Sequence, residues 1–149
     1  MDRRQLPEDF KEFIIFLNKN EVQYLLVGGW AVGLYGTPRA TKDIDFFISV
    51  NDNNLFKLEK ALNEFDAPSI DMAHFKEKGN CFRMGRSPIQ IDLINEADGI
   101  NFTDSYERRN IITIQDVPIS VISKEDLIKN KKASGRYRDL ADAEDLDNE

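Results

Sequence analysis

The stretch from Val27 to Val50, VGGWAVGLYGTPRATKDIDFFISV, constrains the fold more than any other part of the chain. A Gly-Gly pair closes the apolar run Tyr24, Leu25, Leu26, Val27, and a second apolar run opens on Asp43 and Asp45. This order predicts a strand, a tight turn, a short helix from about Trp30 to Tyr35, and a second strand from Ile44 to Val50. Gly28 and Gly29 then stand where backbone N–H groups and a helix N-terminus can receive a phosphate. Residues two apart on a strand share a face, so Asp43 and Asp45 point one way and Ile44 and Phe46 the other.

The flanking segments supply the rest of a layered domain. Phe10, Phe13, Ile14 and Leu17 recur at helical spacing, and Asn18 to Asn20 end that first helix. Asp52 is the expected cap of a helix striped by Leu55, Leu58, Leu62 and Phe65. From Ala67 to Lys78 the pattern is ambiguous, in keeping with a loop that includes a short strand. Cys81 to Met84, a turn over Gly85 to Pro88, and Ile89 to Asn95 read as a hairpin. Thr103 to Asn110 reads as a short surface helix. Ile111 to Ile114 and Pro118 to Ile122 are β-branched runs separated by Gln115-Asp116. Ser123 with Asp126 forms a capping box for a helix to about Ala133, and a last helix runs from about Arg136 to Leu146. Neither a repeat nor a linker interrupts residues 1–149, so a single domain is expected, its C-terminal helices (about 124–146) packed on the sheet.

The carboxylates carry the chemistry. An arbitrary Asp-x-Asp is most often two acids on the solvent side of an amphipathic strand. Here a third acid, Asp92, lies in its own strand-like run, and neighbouring strands sit ~4.8 Å apart, so three carboxylates can converge on one patch. Such a cluster repels itself unless cations neutralise it, and two Mg²⁺ ions ~3.5 to 4 Å apart are the usual arrangement for phosphoryl chemistry. All-oxygen donors favour Mg²⁺ or Mn²⁺ over zinc. A phosphate cradle beside paired acids is a site for chemistry on a nucleoside triphosphate.

Composition narrows the partners. A formal charge of −7 argues against an extended nucleic-acid surface. One cysteine, Cys81, allows no internal disulfide, and the sequence has neither an apolar signal core nor a run long enough to cross a bilayer. A soluble cytoplasmic protein is therefore expected. On their own residues, Lys131 and Arg136 read as a solvated basic helix face, Trp30 as core, His74 as a surface or packing residue, and Cys81 as a small buried hydrophobe.

Val27-Gly28-Gly29 followed by Asp43-Ile44-Asp45-Phe46, and later by Gln90-Ile91-Asp92-Leu93-Ile94, resembles the signature of the polymerase-β-like nucleotidyltransferase superfamily. More narrowly, GGWAVGLYGTPRATKDIDFFI together with KKASGRYRDLAD, from Lys131 to Asp142, resembles the small AbiEii-like nucleotidyltransferases of abortive-infection systems. The resemblance covers about Val22 to Leu146. It implies an α/β (α+β) fold, with a mixed, mostly antiparallel sheet flanked by helices. It also implies transfer of a nucleoside monophosphate from an NTP to a hydroxyl with release of pyrophosphate.

On this resemblance Gly28 and Gly29 hold the triphosphate, and Asp43 and Asp45 bind both metal ions. Asp92 joins the catalytic metal and acts as the general base. Arg39 and Thr41 lie near the phosphates and Lys131 near the nucleotide, with Arg136 and Asp139 as further positions. The acceptor stays open among a small molecule such as an antibiotic, a tRNA 3′ end and a protein side chain. Two other roles stay open as well. One is a non-catalytic nucleotide-binding or regulatory module acting through a partner protein. The other is the toxin-type half of a toxin–antitoxin or phage-defence pair.

Overall fold

The computed structural model describes residues 5–36, 43–86 and 89–148. Arg39, Thr41 and the last two positions of the expected turn at Gly85 to Pro88 lie outside them. The first helix, α1 (Glu8–Lys19), buries Phe10, Phe13, Ile14 and Leu17, the four positions that share its apolar stripe. It leads to β1 (Tyr24–Val27), in which all four side chains are buried. The next helix, α2 (Gly28–Tyr35), starts two residues earlier than the sequence suggests, so both glycines belong to its first turn. Next in the chain is β2 (Asp43–Ile48), which alternates half-buried aspartates with buried Ile44 and Phe46 before its fully buried end.

The middle of the chain departs from expectation in its caps. Helix α3 (Asp52–Glu64) is capped by Asn51, not Asp52: the Asn51 side chain accepts from the Asn54 N–H at 2.8 Å. Where a loop with a short strand was expected, α4 (Met72–Lys76) forms instead. Asp71 accepts from the N–H groups of Ala73 and His74, and Phe75 is buried, so a cap and one anchor suffice for a helix too short to show a period. Strands β3 (Cys81–Arg86) and β4 (Ile89–Ile94) form the hairpin. Cys81 is exposed, contrary to its apolar surroundings in sequence, because β3 is an edge strand with no strand on its outer side among the described residues.

Helix α5 (Phe102–Glu107) precedes β5 (Asn110–Ile114) and β6 (Val117–Val121). Gln115 and Asp116 both have positive φ, 50° and 66°, which is the tight two-residue hairpin turn that matches strand twist. In α6 (Lys124–Ser134) the Ser123 hydroxyl accepts from Asp126 N–H at 3.1 Å. The reciprocal half of the capping box is missing because Arg108 takes both Asp126 oxygens, at 3.0 and 3.1 Å. Gly135, left-handed at φ 72°, ends α6 and allows α7 (Tyr137–Asp147) to fold back on it.

The six strands form one sheet in the order β3-β4-β2-β1-β6-β5. Three neighbouring pairs are antiparallel, while β2–β4 and β1–β6 are parallel. This is the mixed, mostly antiparallel sheet that the family resemblance implies. On one face Phe46 meets Phe13 edge-on at 5.5 Å, and Phe13 meets Phe65 at 5.1 Å, so α1 and the end of α3 cover it. The buried Asn54 fixes α3 to the strands: it accepts from Gln23 N–H and donates to the carbonyls of Gln23 and Ser49. The other face bears Asp43, Asp45 and Phe47, and there Phe47 packs on Phe102 of α5. Among the described residues no helix is long and apolar enough to cross a membrane.

Candidate functional site

The site begins where β1 passes into α2. Val27, extended at φ −128° and ψ −170°, is the cap residue and offers no side-chain bond, so the first N–H groups of α2 are left for another acceptor. Gly28 has φ 71°, and a Cβ built on it would stand 2.3 Å from Oδ2 of Asp45. Only glycine lets the backbone take that conformation so close to the carboxylate. Asp45 is in turn the register partner of Val27, so the antiparallel β1–β2 pairing is what brings the acid to the helix start.

The acids line up through a second pairing. In the parallel β2–β4 ladder Asp43 stands opposite Gln90 and Asp45 opposite Asp92. Burial, then the facing Asp92 and the nearby Asp43, push the Asp45 carboxyl up to about 7, while Lys131 pulls it the other way. Asp92 is nearly buried, and its Oδ1 accepts from Arg83 Nε at 3.0 Å. Gln90 Nε2 lies 3.3 and 3.4 Å from the two Asp92 oxygens.

Sequence reasoning missed Arg83. A four-residue turn over Gly85 to Pro88 places Arg83 across from Gln90. The observed strands instead reach Arg86 and restart at Ile89, which moves the register and puts Arg83 across from Asp92.

The opposite wall comes from α6 and α7. The side chain of Lys131 is only 12% exposed, and its ammonium lies 3.1 Å from Asp139 and 3.5 Å from Asp142. The solvated basic face expected from the residues alone is therefore absent at this position. Burial acts to raise the Asp139 carboxyl, yet hydrogen bonds from Ser134, Lys131 and Arg136 outweigh it and bring the group down to about 2. Arg136 donates to Asp139 at 2.8 Å from an otherwise exposed side chain. Sequence reasoning also missed Asp142 and Ser134. Asp139, Asp142 and Lys131 are spaced at 8 and 3 residues, but only the reversal at Gly135 brings the two helices face to face.

These walls enclose a cleft of about 530 Å³ lined by Gly28, Gly29, Asp43, Asp45, Lys131 and Arg136, among others. Beside it lies a second cavity of about 550 Å³, floored by Phe47 and Phe102. Glu96, Ala97 and Asp98 line both and form the partition between them. That partition is held to α6: Asn130 donates to the Asp98 carbonyl at 2.8 Å, and a Cβ on Gly99 would meet Ala133 Cβ at 2.6 Å. Trp30 is half-buried and packs edge-on against Phe10 at 6.0 Å, and His74 is exposed on α4.

The donor set fits a hard divalent cation. The available ligands are carboxylate oxygens, and a cation would return the raised Asp45 carboxyl to its ionised form. Among the described residues no three acidic, histidine or cysteine side chains already close around one ion.

A family model described as a nucleotidyltransferase of unknown function (DUF6036) matches residues 4–148. No curated protein matches the sequence significantly. Among solved structures, a lincosamide antibiotic adenylyltransferase, LnuA, with lincomycin bound is similar at 16% identity and TM-score 0.61, covering 95% of this chain and 96% of that one. A putative nucleotidyltransferase from Thermotoga maritima is similar at 15% identity and TM-score 0.61, with 98% and 95% covered. An antigenic nucleotidyltransferase-like protein from Paracoccidioides brasiliensis follows at 14% and 0.55, with 93% and 72% covered. At such identities these likenesses are likenesses of fold. The narrower AbiEii-like likeness stays a resemblance of motifs.

Proposed function

The chain belongs to the DUF6036 family of nucleotidyltransferases of unknown function, and from that premise we propose that it moves a nucleoside monophosphate from an NTP to an acceptor hydroxyl. The observation that carries the reading is Asp45, which lines the cleft against Gly28 and faces Lys131 on the other wall, with Asp92 behind the lining as its register partner on the next strand. The open N–H groups at Gly28 and Gly29 receive phosphate oxygens, and the helix start adds its partial positive charge. Lys131 supplies a full charge from the opposite wall. Arg39 and Thr41 belong to the phosphate side on the motif resemblance.

Asp43, Asp45 and Asp92 would hold Mg²⁺ or Mn²⁺, which supplies neutralisation of the charge that builds on the phosphoryl oxygens. The acceptor oxygen attacks the α-phosphorus, the bond from that phosphorus to the bridging oxygen breaks, and pyrophosphate leaves. Asp92 accepts the proton of the acceptor hydroxyl. The cavity across the Glu96–Asp98 partition gives a small acceptor room to lie next to the nucleotide, and the net charge of −7 disfavours a long nucleic acid there.

Incubation with α-labelled NTPs, Mg²⁺ and panels of small hydroxylated molecules, tRNA and proteins tests this reading. Label on an acceptor, with pyrophosphate released in equal amount, is the expected result. No transfer to any class, with no NTP binding by calorimetry, would overturn it. A toxin-type role adds one outcome: expression of the wild type, but not of Asp45→Asn, would arrest growth.

A further inference from the structure

We propose that Arg83 is a built-in counter-ion of the acid row, which occupies Asp92 while no divalent cation is bound and has to let go of it for the cation to bind. The proposal rests on the metal reading of Asp43, Asp45 and Asp92 given above.

The contact is lopsided. Asp92 sits in an inner strand with its side chain 9% exposed, while Arg83, on the edge strand β3, is 63% exposed. A carboxylate buried across from Asp45 needs a positive partner, and among the described residues Arg83 is the cation that touches it. Lys131 is engaged elsewhere, by Asp139 and Asp142. Yet Arg83 is held by its Nε alone, and Asp92 is its one hydrogen-bond acceptor among the described residues. Arg108 shows what a structural brace looks like in the same protein, with two parallel bonds to both oxygens of Asp126. By contrast Arg83 is a cap whose terminal nitrogens donate to no group among the described residues.

A guanidinium cannot leave by losing its proton, so it has to move. Its long stem and exposed position make that move inexpensive, because the freed head is hydrated at once. Two roles are then separable by sign. A brace that aims Asp92 at a metal would strengthen metal binding, and its loss would weaken it. A counter-ion competes with the metal for the same carboxylate, and its loss strengthens binding.

The test uses the full chain as wild type, Arg83→Ala and Arg83→Gln, with Mn²⁺ alone as the probe. Calorimetric titration should give an Mn²⁺ Kd at least about fivefold tighter in both variants. Melting temperatures should fall in EDTA, and the rise on adding Mn²⁺ should be larger than in the wild type. Arg83→Lys, which keeps the charge, should stay within about twofold of the wild type and serves as the folded control. Unchanged or weaker Mn²⁺ binding in either folded variant would overturn the proposal and leave the metal reading intact. Absence of Mn²⁺ binding in all of them would overturn both.

Discussion

Gly28 and Asp45 are so close that a single methyl group on residue 28 would sit 2.3 Å from the carboxylate oxygen Oδ2. Gly28→Ala therefore meets two penalties, a left-handed backbone at φ 71° and a contact that no real Cβ makes. Together they should cost about 2 to 4 kcal/mol, measurable by urea unfolding. Relaxation of Asp45 away from the new methyl should also lower NTP affinity at least about tenfold. A loss of stability below about 1 kcal/mol would contradict the close approach.

The raised carboxyl of Asp45 makes both stability and cation binding depend on pH. The folded protein holds a proton at about 7 that the unfolded chain releases near 4, so it binds more protons in that window. Stability from this group consequently falls as pH rises from about 4 to about 7, opposite to the usual behaviour of an acid. Cation affinity should run the other way and rise over the same range, because proton and cation compete. Thermal melts in EDTA and Mn²⁺ titrations at pH 5, 6, 7 and 8 check both slopes, and flat profiles would remove Asp45 from the site. NTP should bind appreciably only when a divalent ion is present.

Asp92→Asn separates the two partners of that carboxylate. The change relieves repulsion with Asp45 and loses the Arg83 contact, but Arg83 is mostly exposed and returns to water, which limits that loss to about 1 kcal/mol or less. Relief should win, so stability in EDTA is expected to stay level or rise by up to about 1 to 2 kcal/mol. Transfer should fall at least about 100-fold, since a ligand and the base are lost together. A clear drop in melting temperature would mean that Asp92 is held for structure.

Lys131 is expected to matter twice. Lys131→Met keeps the buried stem but removes one cation from Asp139 and Asp142 together, at a cost of about 2 to 4 kcal/mol. NTP binding should weaken as well. In Lys131→Met with Asp142→Asn, stability should largely return while nucleotide affinity does not. Recovery of both would confine Lys131 to a structural role.

How far the sequence reaches is clear from particular residues. The strand–helix–strand unit around Gly28 and Asp45 was legible because its apolar runs and glycines act locally. The adjacency of Asp45 and Asp92 was foreseeable as strands side by side, though not their shared register. Arg83 was lost through a turn two residues too long, since each one-residue slip changes every cross-strand partner. Lys131 was read as solvated because its neighbours in sequence are polar. Its burial depends on α7, which returns only after Gly135. Helix α4 stayed hidden because five residues, Met72–Lys76, are too few to display a period.

The parallel pairing of β2 with β4 has a kinetic consequence. Asp45 and Asp92 are separated along the chain by α3, α4 and β3, so their contact closes one of the long loops of the chain. Long-range parallel pairings tend to form late on the way to the native state. A cation held between those carboxylates would then stabilise the native protein and not its folding transition state. In stopped-flow experiments Mn²⁺ should slow the unfolding limb of the chevron and leave the refolding limb unmoved, so that the ion acts as a latch on a protein already folded.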